Sequence, residues 1–226
     1  AQSTFRQGRY DQAVVHYKDF LANSANAPLI FRKRAETQIS DADQAIIRMS
    51  RGSEAEMTHL PNGINTEDSD FMYVHGPKGT RFFSSNNFKF KGDKLISKRM
   101  LSRIMKQTGE TTAEALPKTI NIPNKNISHT SFNTDMSKVY YSVCEWVAFD
   151  ELRCDLYGAD VDSDGNWTNP VKLPINQEGF STTMPSFGNL VADAKEYLYF
   201  SSNRPGTIDE FDLYRAEVLA NNTFGE

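Results

Sequence analysis

A phrase near the C-terminal end decides the fold: Tyr197-Leu-Tyr-Phe-Ser-Ser-Asn-Arg-Pro-Gly206, followed by Phe211-Asp-Leu-Tyr-Arg-Ala216. An earlier copy reads Val139-Tyr-Tyr-Ser142 and then Cys154-Asp-Leu-Tyr-Gly-Ala159. A weaker third copy reads Arg81-Phe-Phe-Ser-Ser-Asn86 and then Lys94-Leu-Ile-Ser97. The serines Ser84, Ser142 and Ser201 of these copies lie 58 and 59 residues apart. The phrase therefore marks an internal repeat of short aromatic strands.

Other parts of the repeat recur in the same order around this phrase. A leading element reads Leu60-Pro-Asn-Gly-Ile-Asn65, Ile122-Pro-Asn-Lys-Asn-Ile127 and Leu173-Pro-Ile-Asn176. A hairpin element, Asp164-Gly-Asn-Trp-Thr-Asn-Pro170, recurs at Asn222-Thr-Phe-Gly-Glu226. The residues expected to form the repeat core are Tyr141, Phe200, Leu156, Leu213, Trp167 and Phe224. Consecutive small sheets at this period predict an all-β propeller.

The first 53 residues follow a helical period instead. Tyr10, Ala13, Val14, Tyr17 and Leu21 fall on one helix face. A second stripe follows at spacings of three and four: Phe31, Ala35, Ile39, Ala42, Ile46 and Met49. The predicted fold is therefore α+β by segments. A helical hairpin spans residues 1–53, and an incomplete propeller of about three blades spans 56–226, with blades near 66–115, 126–170 and 181–226.

The predicted number of blades is too small for a closed ring, because propellers typically need at least about four. An open ring would leave strand edges and sheet faces uncovered. We therefore expect these 226 residues to be part of a longer protein.

Charge is spread unevenly along the chain. The net charge is −4, but residues 129–226 carry 6 basic and 16 acidic side chains. Phosphate contacts need clustered Lys and Arg, so the sequence predicts no nucleic-acid partner. It also has no apolar run of about 18 residues that could form a membrane-spanning helix.

The two cysteines, Cys144 and Cys154, stand at the ends of two predicted strands with a nine-residue loop between them. In an antiparallel hairpin their sulfurs could meet and form a disulfide, which would imply an oxidising compartment. The alternative is a pair of reduced, half-buried thiols. No CxxC motif or Cys/His cluster indicates zinc.

One acidic turn has the spacing of a calcium loop: Asp160, Asp162 and Asp164 precede Gly165. Alternating carboxylates can converge on one cation, but the position expected to supply a bidentate Glu is Val171. The alternative, which the repeat register favours, is a polar hairpin turn with Asp164-Gly165 at its tip. No metal site is therefore assigned.

A basic stretch lies between Phe88 and Lys106, where one acid stands against seven bases: Lys89, Lys91, Lys94, Lys98, Arg99, Arg103 and Lys106. It could form a patch for an acidic partner or for anionic headgroups. The favoured alternative is a solvated strand face and loop, with the apolar residues of the stretch turned inward.

No catalytic motif is evident in the sequence. The histidines His16, His59, His75 and His129 show no HxxxH or HExxH pairing, and no Gly-x-Ser-x-Gly elbow occurs. Adjacent acids such as Asp150 and Glu151, or Asp209 and Glu210, fall in predicted loops. These patterns predict neither a catalytic centre nor a cofactor.

Two segments resemble known repeat families. Gly8, Tyr10, Ala13 and Tyr17 match the small and aromatic positions of the second helix of a tetratricopeptide repeat. Residues 56–226 resemble propeller repeats of the TolB and tricorn-protease type. In this order the modules resemble outer-membrane-associated proteins of Gram-negative bacteria that often carry a C-terminal OmpA-like domain. That domain is absent from these residues.

The resemblance implies a periplasmic, outer-membrane-associated protein that binds other proteins of an envelope complex, including secretion machinery. Membrane association would be indirect or through a lipoprotein anchor outside these residues, and peptidoglycan binding would need the absent domain. The sequence thus predicts a non-catalytic scaffold that is not an enzyme. The alternative is a propeller module of an envelope hydrolase or lyase, or a module that contacts glycan or peptidoglycan.

Overall fold

The computed structural model describes residues 1–52, 56–88, 101–190, 194–207, 210–219 and 223–225. They divide into two compact units, Ala1–His59 and Leu60–Glu226. The first unit is helical and the second contains several antiparallel sheets, so the predicted order of these elements is confirmed. Across the described ranges, no helix is both long and apolar enough to cross a membrane.

The helical unit consists of α1 (Gln2–Arg6), α2 (Tyr10–Asn23) and α3 (Leu29–Ser50). Its core is formed by Ala13 and Tyr17 of α2 and Ala35 of α3. Of the second predicted stripe, only the small residues Ala35 and Ala42 are buried, because small side chains let the helices approach closely. The larger Phe31 and Met49 are 55% and 65% exposed.

The described residues of the sheet unit form eleven strands, numbered in chain order. They are β1 (Asp70–His75), β2 (Arg81–Ser85), β3 (Arg103–Gln107), β4 (Ala113–Ala115), β5 (Asn126–Phe132), β6 (Lys138–Trp146), β7 (Leu152–Val161), β8 (Trp167–Lys172), β9 (Thr182–Leu190), β10 (Lys195–Ser202) and β11 (Asp212–Glu217). They pair into three antiparallel sheets: sheet A (β1–β4), sheet B (β5–β8) and sheet C (β9–β11). Strands that are neighbours in sequence are neighbours in each sheet, so each sheet is a meander.

Each interface between sheets buries one face of the aromatic strand in the repeat. Alternate side chains of a strand point to opposite faces. Tyr141 of β6 therefore joins the core shared with sheet A, whereas Tyr140 joins the core shared with sheet C. Phe200 of β10, the repeat equivalent of Tyr141, also belongs to the core between sheets B and C. Tyr141 and Phe200 thus occupy equivalent positions in different sheets.

Five of the six predicted repeat-core residues contribute to these cores. Tyr141, Leu156, Trp167 and Phe200 are at most 4% exposed, and Phe224 packs half-buried against Tyr140. The prediction for Leu213 is wrong, because this side chain is 74% exposed. The face of sheet B that carries Leu156 is covered by β9, whereas the described residues place no sheet on the corresponding face of sheet C.

Two asparagines fix the segments that lead from one sheet to the next. The side-chain amide of Asn121 donates to the carbonyls of Ile104 and Leu116, and its oxygen accepts the N–H of Ile104, all at 2.9 Å. Asn176 makes the same three bonds to Leu156 and Leu173 at 2.7–2.8 Å. An amide side chain can pair both backbone groups of one residue, so it replaces a missing strand partner.

We predict that Asn121→Ala lowers the free energy of unfolding by at least about 2 kcal/mol, because it leaves buried backbone groups of Ile104 and Leu116 without partners. Asn62→Ala, at an exposed turn position, is the matched control. Urea denaturation of both variants measures the difference, and equal stabilities would show that the amide contributes no net stability.

Candidate functional site

A row of strained residues marks the first strand of each sheet. Met72 of β1, His129 of β5 and Met184 of β9 have φ values of 56°, 57° and 55°. Non-glycine residues with such angles are uncommon and cost about 1–3 kcal/mol each. We term these three residues the inner-strand row.

The inner-strand row arises from a bulge at the same place in each first strand. The ladder register shifts between Phe71 and Val74 in β1 and between Ser128 and Ser131 in β5, and the pairing of β10 with β9 shifts likewise. A bulge inserts an extra residue and redirects its side chain. Met72 and Met184 are accordingly 40% and 54% exposed although they belong to packed strands.

The third bulge is held by a hydroxyl of the neighbouring sheet. The N–H of Met184 donates to Oγ of Ser142 at 3.0 Å, and the hydroxyl of Thr183 bonds the same oxygen at 3.1 Å. The N–H of Phe187, beyond the bulge, donates to Oγ of Ser131 at 2.8 Å. Ser142 is fully buried, so the repeated serine stabilises the strained strand that packs on it.

His129 is the titratable member of the row. Its ring lies 5.7 Å from the ring of Phe71, and its Nδ1 lies 2.9 Å from Oγ of Ser128. Burial lowers the pKa of His129 below its ordinary value of 6.5, so the imidazole is neutral near pH 7. The row thus combines a neutral imidazole and two thioethers, and the aromatic ring of Phe71 lies beside the imidazole.

Acidic side chains are scarce in the first strands of the three sheets. Asp70 is the one acidic residue within the described residues of β1, β5 and β9. One of its carboxylate oxygens accepts the N–H and hydroxyl of Thr66 at 2.6 and 2.8 Å. Hydrolysis of a glycosidic bond commonly uses two carboxyl groups, so a second acid would have to come from outside these strands.

The cysteines predicted as a disulfide candidate are bonded to each other. Cys144 of β6 and Cys154 of β7 are direct partners in the ladder of sheet B, and their sulfurs form a disulfide. The bridge closes the hairpin that contains Asp150 and Glu151.

The acidic turn forms the polar hairpin rather than a cation cage. One oxygen of Asp162 accepts the N–H groups of Asp164 and Asn166, both at 2.9 Å, and hydrogen bonds from Asn166 lower the pKa of Asp162. Asp160 pairs with Lys138 of the adjacent strand. In the part of the chain that the structure describes, no group of three or more His, Cys, Asp or Glu side chains could hold a metal ion.

The predicted basic patch is only partly visible, because Lys89, Lys91, Lys94, Lys98 and Arg99 lie outside the described residues. Of the two described members, Arg103 is wholly buried and donates to the carbonyl of Ser102 at 3.0 Å. It therefore cannot belong to a surface patch. Lys106 donates to the carbonyl of Asp164 in the hairpin of sheet B at 2.7 Å.

Sequence reasoning missed the inner-strand row. Its members are separated by 57 and 55 residues, close to the repeat period, but they are Met, His and Met. Methionine does not favour a left-handed backbone, and histidine adopts it only uncommonly, so the shared period was the main signal for the position.

No protein-family model and no curated protein matches the sequence significantly. Among solved structures, the chain is similar to the Cellvibrio cellulosa alpha-L-arabinanase, both alone and complexed with arabinohexaose, at 11% identity and a TM-score of 0.37. That alignment covers 68% of this chain and 55% of the arabinanase. A glycoside hydrolase family 43 YxiA protein from Bacillus licheniformis aligns at 14% identity and a TM-score of 0.37, over 77% of this chain and 45% of that protein. The chain thus spans about half the length of the structures it matches.

These similar structures are glycoside hydrolases, and the prediction of a non-catalytic scaffold that is not an enzyme is corrected accordingly. That prediction rested on the lack of a local catalytic motif. The reasoning was unsound because active-site residues of a repeat fold can come from several sheets and leave no contiguous signature.

We predict that the stability of the sheet unit falls as the pH drops below about 6.5, the ordinary pKa of histidine. The unfolded chain then binds a proton at His129 before the folded chain does, because the folded-state pKa is lower. The stabilisation that neutral His129 contributes is complete above the pKa of this side chain in the unfolded chain. It is lost as the pH falls through the lower pKa of the folded chain. Urea unfolding between about pH 5 and 8 measures it.

His129→Gln should flatten this pH dependence, whereas His16→Gln, on the exposed side of α2, should leave it unchanged. A wild-type slope that persists in His129→Gln would assign the effect to another group.

Proposed function

We propose that the sheet unit binds a glycan along the inner-strand row and acts as the glycan-contacting module of an envelope hydrolase or lyase. The observation that carries the proposal is the repeated left-handed residue, which turns Met72, His129 and Met184 out of their strands at equivalent positions. Strain of this kind is concentrated at ligand sites, where the surrounding structure maintains it.

The side chains of the row suit a ligand that is apolar on its ring faces and polar at its edges, as sugars are. Phe71 and the two methionines offer apolar surface, and His129 offers a neutral ring nitrogen for a hydrogen bond. Small-molecule sites commonly combine a largely apolar lining with a few placed polar groups. At Met184, the serine hydroxyls beneath the strand would hold this part of the row in place before the ligand arrives.

We further propose that sheets A, B and C are consecutive blades of a β-propeller and that α2 and α3 are a tetratricopeptide-like pair. The meander order of each sheet and the packing of each sheet on the next support the blades. Ala13, Tyr17 and Ala35 at the helix contact support the helical pair. In a propeller, first strands such as β1, β5 and β9 would face the central channel, where the row could be reached by a ligand.

We predict that the chain binds arabinohexaose or another member of a panel of envelope and plant oligosaccharides, measured by calorimetry. His129→Ala should weaken the binding at least tenfold, which is about 1.4 kcal/mol. His16→Ala should bind as the wild type does, because His16 lies in the helical unit. Release of reducing ends in the same panel tests for hydrolysis separately.

The proposal fails if no oligosaccharide of the panel binds, or if His129→Ala and His16→Ala bind equally. Binding without release of reducing ends would restrict the role to glycan contact.

An envelope location is a proposal that the disulfide supports, since structural disulfides persist in oxidising compartments such as the periplasm. We predict that Cys144 and Cys154 resist thiol labelling in unreduced protein from the periplasmic fraction. Replacing both by serine should lower the free energy of unfolding by about 2–4 kcal/mol. Labelling of both cysteines before reduction would contradict this location.

A further inference from the structure

Ser128, the residue before His129 on β5, directs its hydroxyl to the imidazole of the inner-strand row. Its Oγ lies 2.9 Å from Nδ1 of His129. Side chains of consecutive residues in a regular strand point to opposite faces of the sheet. The bulge and the left-handed backbone of His129 change this direction, so the two side chains can meet.

The equivalent hydroxyl of the next sheet makes a different bond. Thr183 of β9 occupies the position of Ser128, and its hydroxyl bonds Oγ of Ser142 at 3.1 Å. In β5 the hydroxyl bonds the imidazole instead, and Oγ of Ser84, the equivalent of Ser142, has no hydrogen-bond partner among the described residues. The residue after Thr183 is a methionine, whose thioether is only a weak acceptor. The hydroxyl is thus directed to the row where the row carries a ring nitrogen.

The direction of this hydrogen bond follows from burial. Ser128 is 4% exposed, and within the described ranges Nδ1 is the one hydrogen-bond partner of its hydroxyl. If Nδ1 carried the ring proton, it would donate to Oγ, and the hydroxyl hydrogen would be buried without an acceptor, which is unfavourable. If the hydroxyl donates, its hydrogen and the lone pair of Nδ1 are both used. A neutral imidazole carries one such proton, which is then on Nε2.

We propose that Ser128 is a positioning residue that holds the imidazole of His129 as the Nε2–H tautomer and fixes the orientation of the ring. The ring is half-buried, and the described part of the chain gives Nε2 no hydrogen-bond partner, so its N–H is available to a ligand. The thioethers of Met72 and Met184 have no hydrogen to donate. The imidazole is therefore the side-chain donor of the row, and Ser128 determines that it donates.

This tautomer sets what a ligand must provide, a consequence that rests on the proposed glycan binding. A sugar bound against the row would place an acceptor oxygen at Nε2 of His129. Ring and glycosidic oxygens accept hydrogen bonds and cannot donate them, so they pair with an N–H group and not with a bare ring nitrogen. A single placed donor in a largely apolar lining fixes the orientation of such a ligand.

NMR of the ring nitrogens in the full chain tests the tautomer without a ligand, at a pH above the ordinary histidine pKa of about 6.5. His129→Gln assigns the signals. The wild type should show the chemical shifts of a single Nε2–H tautomer with Nδ1 as an acceptor. In Ser128→Ala the two nitrogen shifts should move toward each other, as in a mixture of tautomers. Ser128→Thr should keep the wild-type shifts, because threonine occupies the equivalent position in β9.

Ser84→Ala is the matched control and should leave the shifts unchanged. Ser84 is also buried, and its Oγ has no hydrogen-bond partner among the described residues. The proposal is overturned by an Nδ1–H tautomer in the wild type, by wild-type shifts in Ser128→Ala, or by equal changes in both alanine variants. The first of these outcomes needs no variant, so the test holds even where Ser128→Ala does not fold.

Calorimetry with arabinohexaose tests the ligand contact separately. Ser128→Ala should weaken binding by at least about threefold, because the ring remains but is no longer held for the ligand. Ser84→Ala should bind as the wild type does. Equal affinities of Ser128→Ala and the wild type would overturn the contact through Nε2. A wild type that does not bind this probe would count against the proposed glycan binding, whereas the NMR shifts would still decide whether Ser128 positions the ring.

Discussion

The first strands of sheets B and C, β5 and β9, have to satisfy two demands at once. Each must pair with its own sheet, and each must also cover an apolar face of the sheet before it. Both strands lie at the edge of their own sheets, so some of their N–H groups remain outside the ladder. The bulge removes one residue from the ladder and frees its N–H, which Ser142 then accepts from Met184.

This constraint connects packing to the candidate site. The residue that the bulge removes from the ladder is also the residue whose side chain is redirected, so the same bulge that serves the sheet contact at β9 exposes Met184. His129 illustrates the combination, because its backbone is strained, its ring contacts Phe71 of the neighbouring sheet and its pKa is lowered by burial. A substitution at the row therefore affects a ligand contact and a sheet interface together.

The parts of this arrangement that depend on local pattern were predictable from the sequence. Alternation in the aromatic strands placed Tyr141 and Phe200 in equivalent strands, and the acidic turn before Gly165 was better explained as a hairpin than as a cation site. Burial of Leu213 was predicted wrongly, because burial is a property of the neighbouring sheet and not of the repeat. The row escaped prediction because methionine carries no local signal for a left-handed backbone and histidine only a weak one. The burial of Arg103 escaped it because a basic residue in a charged stretch is normally solvated.

The repeated serine shows how one residue can have different energetic roles at equivalent positions. At the interface of sheets B and C, Ser142 is buried and bonded to both Thr183 and Met184. At the interface of sheets A and B, Ser84 is equally buried, but its Oγ has no hydrogen-bond partner among the described residues. A buried hydroxyl without a partner costs about 1–3 kcal/mol, so the interface of sheets A and B gains less from its serine than the interface of sheets B and C does.

The interface of sheets A and B is stabilised by aromatic contacts instead. The ring of Phe82 lies 5.6 Å from that of Phe132 and 5.2 Å from that of Trp167. Recurrence of the repeat pattern therefore does not imply recurrence of the contact, and each interface has to be judged by the partners its residues find.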